Sequence, residues 1–498
     1  GASSGMAMAH WEIQGWMILI LGWVFVPFYT RSMVYTMPEF LERRYNPQSR
    51  TILSVISLVS YVLTKVAVTV YAGGLVFQQV FGIKELWGID FFWIAAIGLV
   101  VLTALYTIFG GMKSVLYTSV LQTPILLLGS LIILVLGFKE LGGWDEMMRV
   151  CGAVTVNDYG DTMTNLIRSN DDANFPWLGA LIGSAIIGFW YWCTDQFIVQ
   201  RVLSGKNEME ARRGTIFGAY LKLLPVFLFL IPGMIAFALH QKYIGAGGEG
   251  FLPMLANGTA NADAAFPTLV AKLLPAGVKG LVVCGILAAL MSSLASLFNS
   301  SAMLFTIDFY KRFRPETPEK KLVGIGQVAT VVIVILGILW IPIMRSVGDV
   351  LYTYLQDVQS VLAPGIAAAF LLGICWKRTS AQGGMWGLIA GMVIGLTRLG
   401  AKVYYSNAGE VADSTFKYLF YDMNWLFFCG WMFLFCIIVV IVVSLATEAP
   451  TAEKIQGLVF GTATKEQKAS TRASWNHWDI IHTVIILAIT GAFYWYFW

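Results

Sequence analysis

Several acidic, basic and amide side chains stand at depths in apolar segments that water does not reach. Glu12 follows Ala9-His10-Trp11 near the start of one such segment. Lys222 lies well inside another, in Ala219-Tyr220-Leu221-Lys222-Leu223-Leu224-Pro225. Gln356 and Gln359 share a helix face in Tyr352-Thr353-Tyr354-Leu355-Gln356-Asp357-Val358-Gln359. An ionised or amide group in hydrocarbon costs several kcal/mol, so it normally faces a partner or a wet cavity. The densest cluster is Phe189-Trp190-Tyr191-Trp192-Cys193-Thr194-Asp195-Gln196, inside an apolar run from Trp177 to Val199. Rings of this kind cover the C–H faces of a sugar while neighbouring polar groups take its hydroxyls. A helix-packing patch with one structural acid explains the same residues, and composition alone leaves the two readings level.

The other candidates carry their own alternatives. Glu12, so near a span end, can snorkel to the outer headgroups, and His10 beside it is read as interfacial. Lys222 is too deep to snorkel with ease and calls for a partner or a cavity. Lys65 is similarly deep and has no assigned role. Ala289, Ser292 and Ser293 share a helix face by their i, i+3 and i+4 spacing. Two hydroxyls and a backbone carbonyl there make half a sodium site, because sodium is a hard cation that prefers oxygen. Small residues at the same spacing also mediate close helix packing, which is the stronger reading on spacing alone. Pro364-Gly365 is expected to loosen its helix, and loosened helices are where transporters place ligands.

The elements that must hold these groups follow from composition. The 498 residues are 57% hydrophobic and 12% charged, against about 25% charged in soluble proteins. The chain is therefore read as an all-α polytopic membrane protein. Its net charge of +4 is spread over many loops and argues for no nucleic-acid partner. The six cysteines and four histidines show no disulfide framework or metal-ligand spacing. No nucleophile–base pair is evident, so no enzyme is expected. Apolar runs predict spans at 9–30, 51–80, 91–110, 115–139, 176–200, 211–240, 277–308, 321–345, 350–374, 383–404, 424–446 and 477–497. Alternate loops, starting at Arg31–Arg50, carry most of the Lys and Arg and are assigned to the cytoplasm. Both ends of the chain then lie outside a plasma (inner) membrane, and the lack of long glycosylated loops points to a bacterium. The outside loops at 140–176 and 241–276 are read as short lid or surface helices. The second holds the triplet Asn257-Gly258-Thr259, a pattern common by chance. The opening Gly-Ala-Ser-Ser-Gly lacks Met and reads as the tail of a further helix.

These segments together resemble the sodium/solute symporter family, and within it the sodium–glucose cotransporter branch. The likeness is carried by Tyr35-Thr36-Met37-Pro38-Glu39-Phe40, Ala104-Leu105-Tyr106-Thr107, Gly110-Gly111 and Tyr117-Thr118. It continues through the aromatic–Cys-Thr-Asp-Gln run with Gln200-Arg201, Tyr220-Leu221-Lys222, Met291-Ser292-Ser293-Leu294, Phe298-Asn299-Ser300 and Trp376-Lys377-Arg378. The resemblance implies a LeuT-type fold of inverted five-helix repeats plus peripheral C-terminal helices. Residues 1–139 would be the first repeat with its first helix truncated, 140–175 an extracellular loop, 176–374 the second repeat, and 375–498 peripheral helices. It implies sodium-coupled import of a monosaccharide, with the bilayer and the sugar as partners and no obligate protein partner. Glu12, Tyr191, Trp192, Lys222 and Gln356 match the family's sugar contacts. Tyr191 matches its inner gate, and Trp11 and Tyr352 its outer-gate aromatics. The Ala289 carbonyl, Ser292 and Ser293 match its main sodium site, and Asp195 stays structural. Two positions depart: Ser119 stands where an acid is linked to a second sodium, and Ala295 where the sodium helix carries a hydroxyl. Both departures lead to an expectation of one sodium per sugar. Myo-inositol or another polyol as cargo, and a sugar sensor that does not transport stoichiometrically, remain as alternatives.

Overall fold

A long apolar segment can satisfy its backbone polar groups in a bilayer only by closing them within a helix. The computed structural model describes residues 1–255, 258–347, 351–408 and 412–498, without the side chains of 106, 108–116, 118, 121 and 344–347. Its principal helical segments are α1 (Gly5–Ser32), α2 (Pro47–Phe81), α3 (Phe91–Leu141) and α4 (Trp177–Thr194). They continue with α5 (Gln196–Leu203), α6 (Glu208–Gly245), α7 (Ala276–Phe313), α8 (Glu319–Val347) and α9 (Leu351–Cys375). The last are α10 (Ala381–Asn407), α11 (Trp425–Ala446) and α12 (His477–Tyr496). Among the described residues, 11 helices are long and apolar enough to cross a membrane. The expected spans 91–110 and 115–139 are not separate helices but parts of the continuous α3. Glycine at 110 and 111 weakens a helix without ending it, and Pro124 is accommodated within α3.

Helix starts are set by local chemistry. Asn46, Asn207, Ser380 and Asn476 each accept a hydrogen bond from a first-turn amide with their own side chains. Pro47 follows Asn46 at a position where no amide is needed. Outside the membrane, Glu85–Leu86 and Ile89–Asp90 form a small hairpin. Its turn residues Trp87 and Gly88 both have positive φ, at 56° and 76°, as a tight mirror-image turn requires. The two long loops at 140–176 and 241–276 contain the helices Trp144–Gly152 and Ala265–Leu273, as expected. Asn257 of the glycosylation triplet lies outside the described residues.

The Pro364-Gly365 pair does not break α9, which is helical throughout. Gly365 has a different use. A Cβ there would sit 2.9 Å from the Gly391 Cα, so the pair lets α9 and α10 approach closely. The discontinuity lies elsewhere. A π-helical stretch, Phe189–Thr194, is followed by Asp195 in extended conformation, with φ −80° and ψ 128°. Asp195 then caps α5 through the Phe197 amide. The aromatic run therefore forms the break itself. π-Helical turns also interrupt α1, α2, α6 and α7, a feature frequent at functional sites.

α11 packs on both α9 and α4, and α12 packs on α1 and α6. One contact from the loop at 241–276 fixes the start of α9. Asp263 accepts the Leu351 amide at 3.0 and 3.2 Å. Burial pushes the Asp263 carboxyl up to about 6, while the Leu351 hydrogen bond opposes that rise. A folded-state value above the ordinary aspartate value means the folded chain holds the proton more tightly. This stability is complete below about pH 4 and is lost as pH rises through 6. Melting in detergent is expected to fall between pH 4 and pH 7 by a contribution on the order of 2–3 kcal/mol. Asp263→Asn should flatten that slope, and an unchanged slope in the variant would show that Asp263 is not its source.

Candidate functional site

Glu12 sits where α1 loosens, since Ile13 and Gln14 leave helical geometry between two short helices. Its carboxylate accepts from Lys222 Nζ at 2.7 Å and from the Tyr352 hydroxyl at 2.5 Å. The Glu12 and Lys222 side chains keep only 17% and 16% of their exposure, so Glu12 is not an interfacial residue reaching for headgroups. His10 is also buried, held by the Leu166 carbonyl at 3.1 Å and the Tyr494 hydroxyl at 3.0 Å. Its expected interfacial role is thus replaced by a packing one. A lone ammonium at the depth of Lys222 would be costly, and Glu12 from a helix 210 residues away supplies its charge partner.

The same three residues gather the others. Lys222 Nζ stands 5.6 Å from the Trp192 ring centre, within cation–π range. Trp192 packs edge-on against Tyr191 with centroids 5.0 Å apart. Tyr352 reaches the Gln356 side chain one turn along α9. Gln356 is buried, and its Oε1 has no hydrogen-bond partner among the described residues. A buried amide oxygen without a partner costs ~1–3 kcal/mol, so its place is paid for only if something else bonds it. Glu12, Tyr191, Trp192, Lys222, Tyr352 and Gln356 thus come together from α1, α4, α6 and α9.

Trp11, next to Glu12, stacks on Trp425 at 5.4 Å and meets Phe175 edge-on at 5.8 Å. Trp425 and Phe175 were missed in the sequence because their contribution depends on α11 folding back over α4. On the Lys/Arg-rich face lies a cavity of about 770 Å³, lined by Tyr29, Asn299 and Thr306 and by loop residues 33–35 and 204–207. The Asn299 amide nitrogen and the Thr306 hydroxyl have no hydrogen-bond partner among the described residues.

The serine set is a separate place. Ser292 is buried and its hydroxyl lies 2.6 Å from that of Ser119, while Ser293 is exposed and Ala289 half-buried. These residues supply oxygen ligands suited to sodium, although no cluster of acidic, histidine or cysteine metal ligands occurs among the described residues. Ser119, marked by its departure from the family pattern, faces Ser292 directly.

Lys65, which had no assigned role, forms an ion pair with Asp195 at the break between α4 and α5. Asp195 also accepts the Tyr61 hydroxyl at 2.7 Å. Lys65 Nζ lies 4.9 Å from the Tyr191 ring centre and 4.3 Å from that of Phe197. Asp195 thus ties the break between α4 and α5 to α2 through Lys65 and Tyr61 while capping α5. Beyond the break, Gln200 donates to Ser300 at 2.6 Å and Arg201 bonds the Ser296 hydroxyl, tying α5 to the serine-bearing α7.

The fold is that of a LeuT-type transporter. A structure titled as the substrate-bound outward-open state of a Na+-coupled sialic acid symporter matches it with a TM-score of 0.68, at 21% identity over 90% of this chain and 85% of that one. The sequence profile of the Sodium:solute symporter family matches residues 1–391, and the chain belongs to that family. A sodium/mannose cotransporter of Bos taurus is 36% identical, covering 97% of this chain and 83% of that protein. The human sodium/myo-inositol cotransporter 2 is 35% identical over 93% of this chain and 69% of that protein. Sodium/glucose cotransporter 4 of Danio rerio is 34% identical over 95% and 73%. The protein is thus an integral multi-pass membrane transporter with sodium as its coupling ion, not an enzyme.

Proposed function

We propose that this symporter imports a monosaccharide of the glucose or galactose type by alternating access, with one sodium per sugar. The observation that carries the reading is the buried set of Glu12, Lys222 and Tyr352 beside Trp192 and the Gln356 amide oxygen, which has no hydrogen-bond partner among the described residues. It offers hydroxyl acceptors, hydroxyl donors and a ring face in one place. Trp11 and Tyr352 act as the outer closure and Tyr191 as the inner one. The aromatic stack over one side and the 770 Å³ cavity on the Lys/Arg-rich side fit an inward-facing arrangement. That face is cytoplasmic by the positive-inside rule, placing both chain ends outside. Ala289, Ser292 and Ser293 are assigned to sodium, and residues 1–139 and 176–374 to the two repeats.

Sodium drives the cycle only through its different affinity for the two arrangements. One charge crossing 100 mV supplies ~2.3 kcal/mol and a tenfold sodium gradient ~1.4 kcal/mol. Together they sustain a sugar gradient of several hundredfold at ~1.4 kcal/mol per decade. One ion is sufficient, which agrees with a serine rather than an acid at 119. A reversal-potential ratio of two sodium ions per sugar would overturn this stoichiometry.

A second reading, myo-inositol as cargo, is supported equally by the relatives' names. Uptake of labelled glucose, galactose and myo-inositol into sodium-loaded-outside proteoliposomes separates the two. In the same assay Gln356→Ala is expected to raise the sugar KM about tenfold, the effect of losing a hydrogen bond worth ~1.4 kcal/mol, with sodium dependence nearly unchanged. Ser293→Ala should weaken sodium and affect sugar only through coupling. Equal damage to both ligands by each variant would defeat the assignment of separate sites.

A further inference from the structure

An apolar groove of about 740 Å³ runs between α2 and α8. Val59 and Val62 form one wall, and Val328, Val332 and Leu336 the other. Val328 and Leu336 keep 65% and 47% of their exposure, so the wall is open to the bilayer. Lys321 and Tyr310 are the polar side chains among its described lining residues, and Lys321 lies at the start of α8. The connection around it is basic. Lys311, Arg312, Arg314, Lys320 and Lys321 stand against Glu316 and Glu319. Arg312 is engaged by the Pro47 carbonyl and Thr51 hydroxyl. Neither Lys320 nor Lys321 has an ion-pair partner among the described residues.

Length matches charge. From Lys321 to Leu336 the helix rises about 22 Å at 1.5 Å per residue. Half a bilayer, headgroups included, is about 20–22 Å thick. The groove is therefore one leaflet deep, with its cations at headgroup level and its apolar walls at acyl level. Anionic lipid populates the leaflet facing the Lys/Arg-rich side, and lysines near that surface attract it.

We propose that this groove is a binding site for an anionic phospholipid, with an acyl chain between α2 and α8 and the phosphate held by Lys321 and Lys320. Charge complementarity commits the occupant to a lipid with a net negative headgroup. Its position gives it leverage. The groove touches Val62 and Leu63 in the π-helical turn that carries Lys65, and Phe305 and Tyr310 at the end of the serine-bearing α7. A bound chain would hold α8 against both helices.

The test is native mass spectrometry of the full chain, delipidated in detergent and titrated with phosphatidylglycerol or phosphatidylcholine of the same chain length. Phosphatidylglycerol should bind at least about fivefold more tightly, the effect of one lysine worth ~1 kcal/mol at an anionic surface. Lys320→Ala/Lys321→Ala should erase that preference while leaving phosphatidylcholine binding in place. Val332→Trp, which fills the groove from its lipid side, should reduce binding of both lipids. A monodisperse gel-filtration peak confirms that each variant is folded. Equal affinity for the two lipids, or a preference that survives in the lysine variant, overturns the headgroup assignment. Undiminished binding in Val332→Trp overturns the groove as the site.

Discussion

Replacing Lys222 by methionine alone is expected to damage both folding and transport, and replacing Glu12 by glutamine as well should restore only the folding. The Glu12–Lys222 contact is 2.7 Å long between side chains that are each less than one-fifth exposed. Removing one partner from such a pair leaves a buried charge uncompensated and costs ~3–5 kcal/mol. The double variant has no charge to strand, and glutamine still accepts the Tyr352 hydroxyl. Its stability should return to within about 1–2 kcal/mol of the parent, because replacing both members of a buried pair is often neutral. Thermal melts in detergent read this cycle directly. Sugar uptake should not return, because the charged acceptor and donor are both gone. Recovery of uptake in the double variant would mean that the pair only props the helices apart, and the sugar assignment would have to move to Gln356 and Trp192.

That pair also shows what the sequence could and could not disclose. The depth of Lys222 in its span called for a partner, but spacing alone did not name Glu12, which could also reach the headgroups; only the family resemblance put the two at one site. The partner is fixed only when α1 loosens at Ile13 and α6 packs against it. Composition left the aromatic run level between a site and a packing patch, and a loosened helix was expected at Pro364-Gly365 rather than here. Proline inside a long apolar helix is tolerated where neighbours pack closely, and Gly365 meets Gly391. The true break carries an ordinary helix signal, an aspartate capping the following helix, hidden because Asp195 lies in an apolar run where a cap is not sought. The predicted spans coincide with helices except at two places: 91–110 and 115–139 join in one helix, and 176–200 is broken at Asp195. The serine face illustrates the opposite case. Spacing placed Ala289, Ser292 and Ser293 together, but their surroundings differ, with Ser292 against Ser119 and Ser293 exposed.

The second large effect is expected at Lys65 and Asp195. Asp195 caps α5, accepts the Tyr61 hydroxyl and pairs with Lys65, so Asp195→Ala removes three interactions at the break. Loss of the cap costs ~1 kcal/mol and the stranded ammonium ~3–5 kcal/mol. Asp195→Asn separates these contributions, since its amide oxygen can still cap and accept from Tyr61 while the charge is gone. Asn alone should therefore retain the cap but destabilise through Lys65, and Asn with Lys65→Met should recover most of the loss. Transport adds a different readout. The break joins Tyr191, whose ring lies over Lys65, to Gln200 and Arg201, which hold Ser296 and Ser300 of α7. If this segment carries coupling between the sugar cluster and the serine face, the recovered double variant should still bind both ligands. Sodium should, however, no longer tighten sugar binding, and the reciprocal effect of sugar on sodium should vanish with it, as linkage requires. Intrinsic tryptophan fluorescence titrations with each ligand, in the presence and absence of the other, measure both directions. Full reciprocal coupling in the stable double variant would confine Lys65 and Asp195 to holding the break and leave the link between α5 and α7 to Gln200 and Arg201 alone.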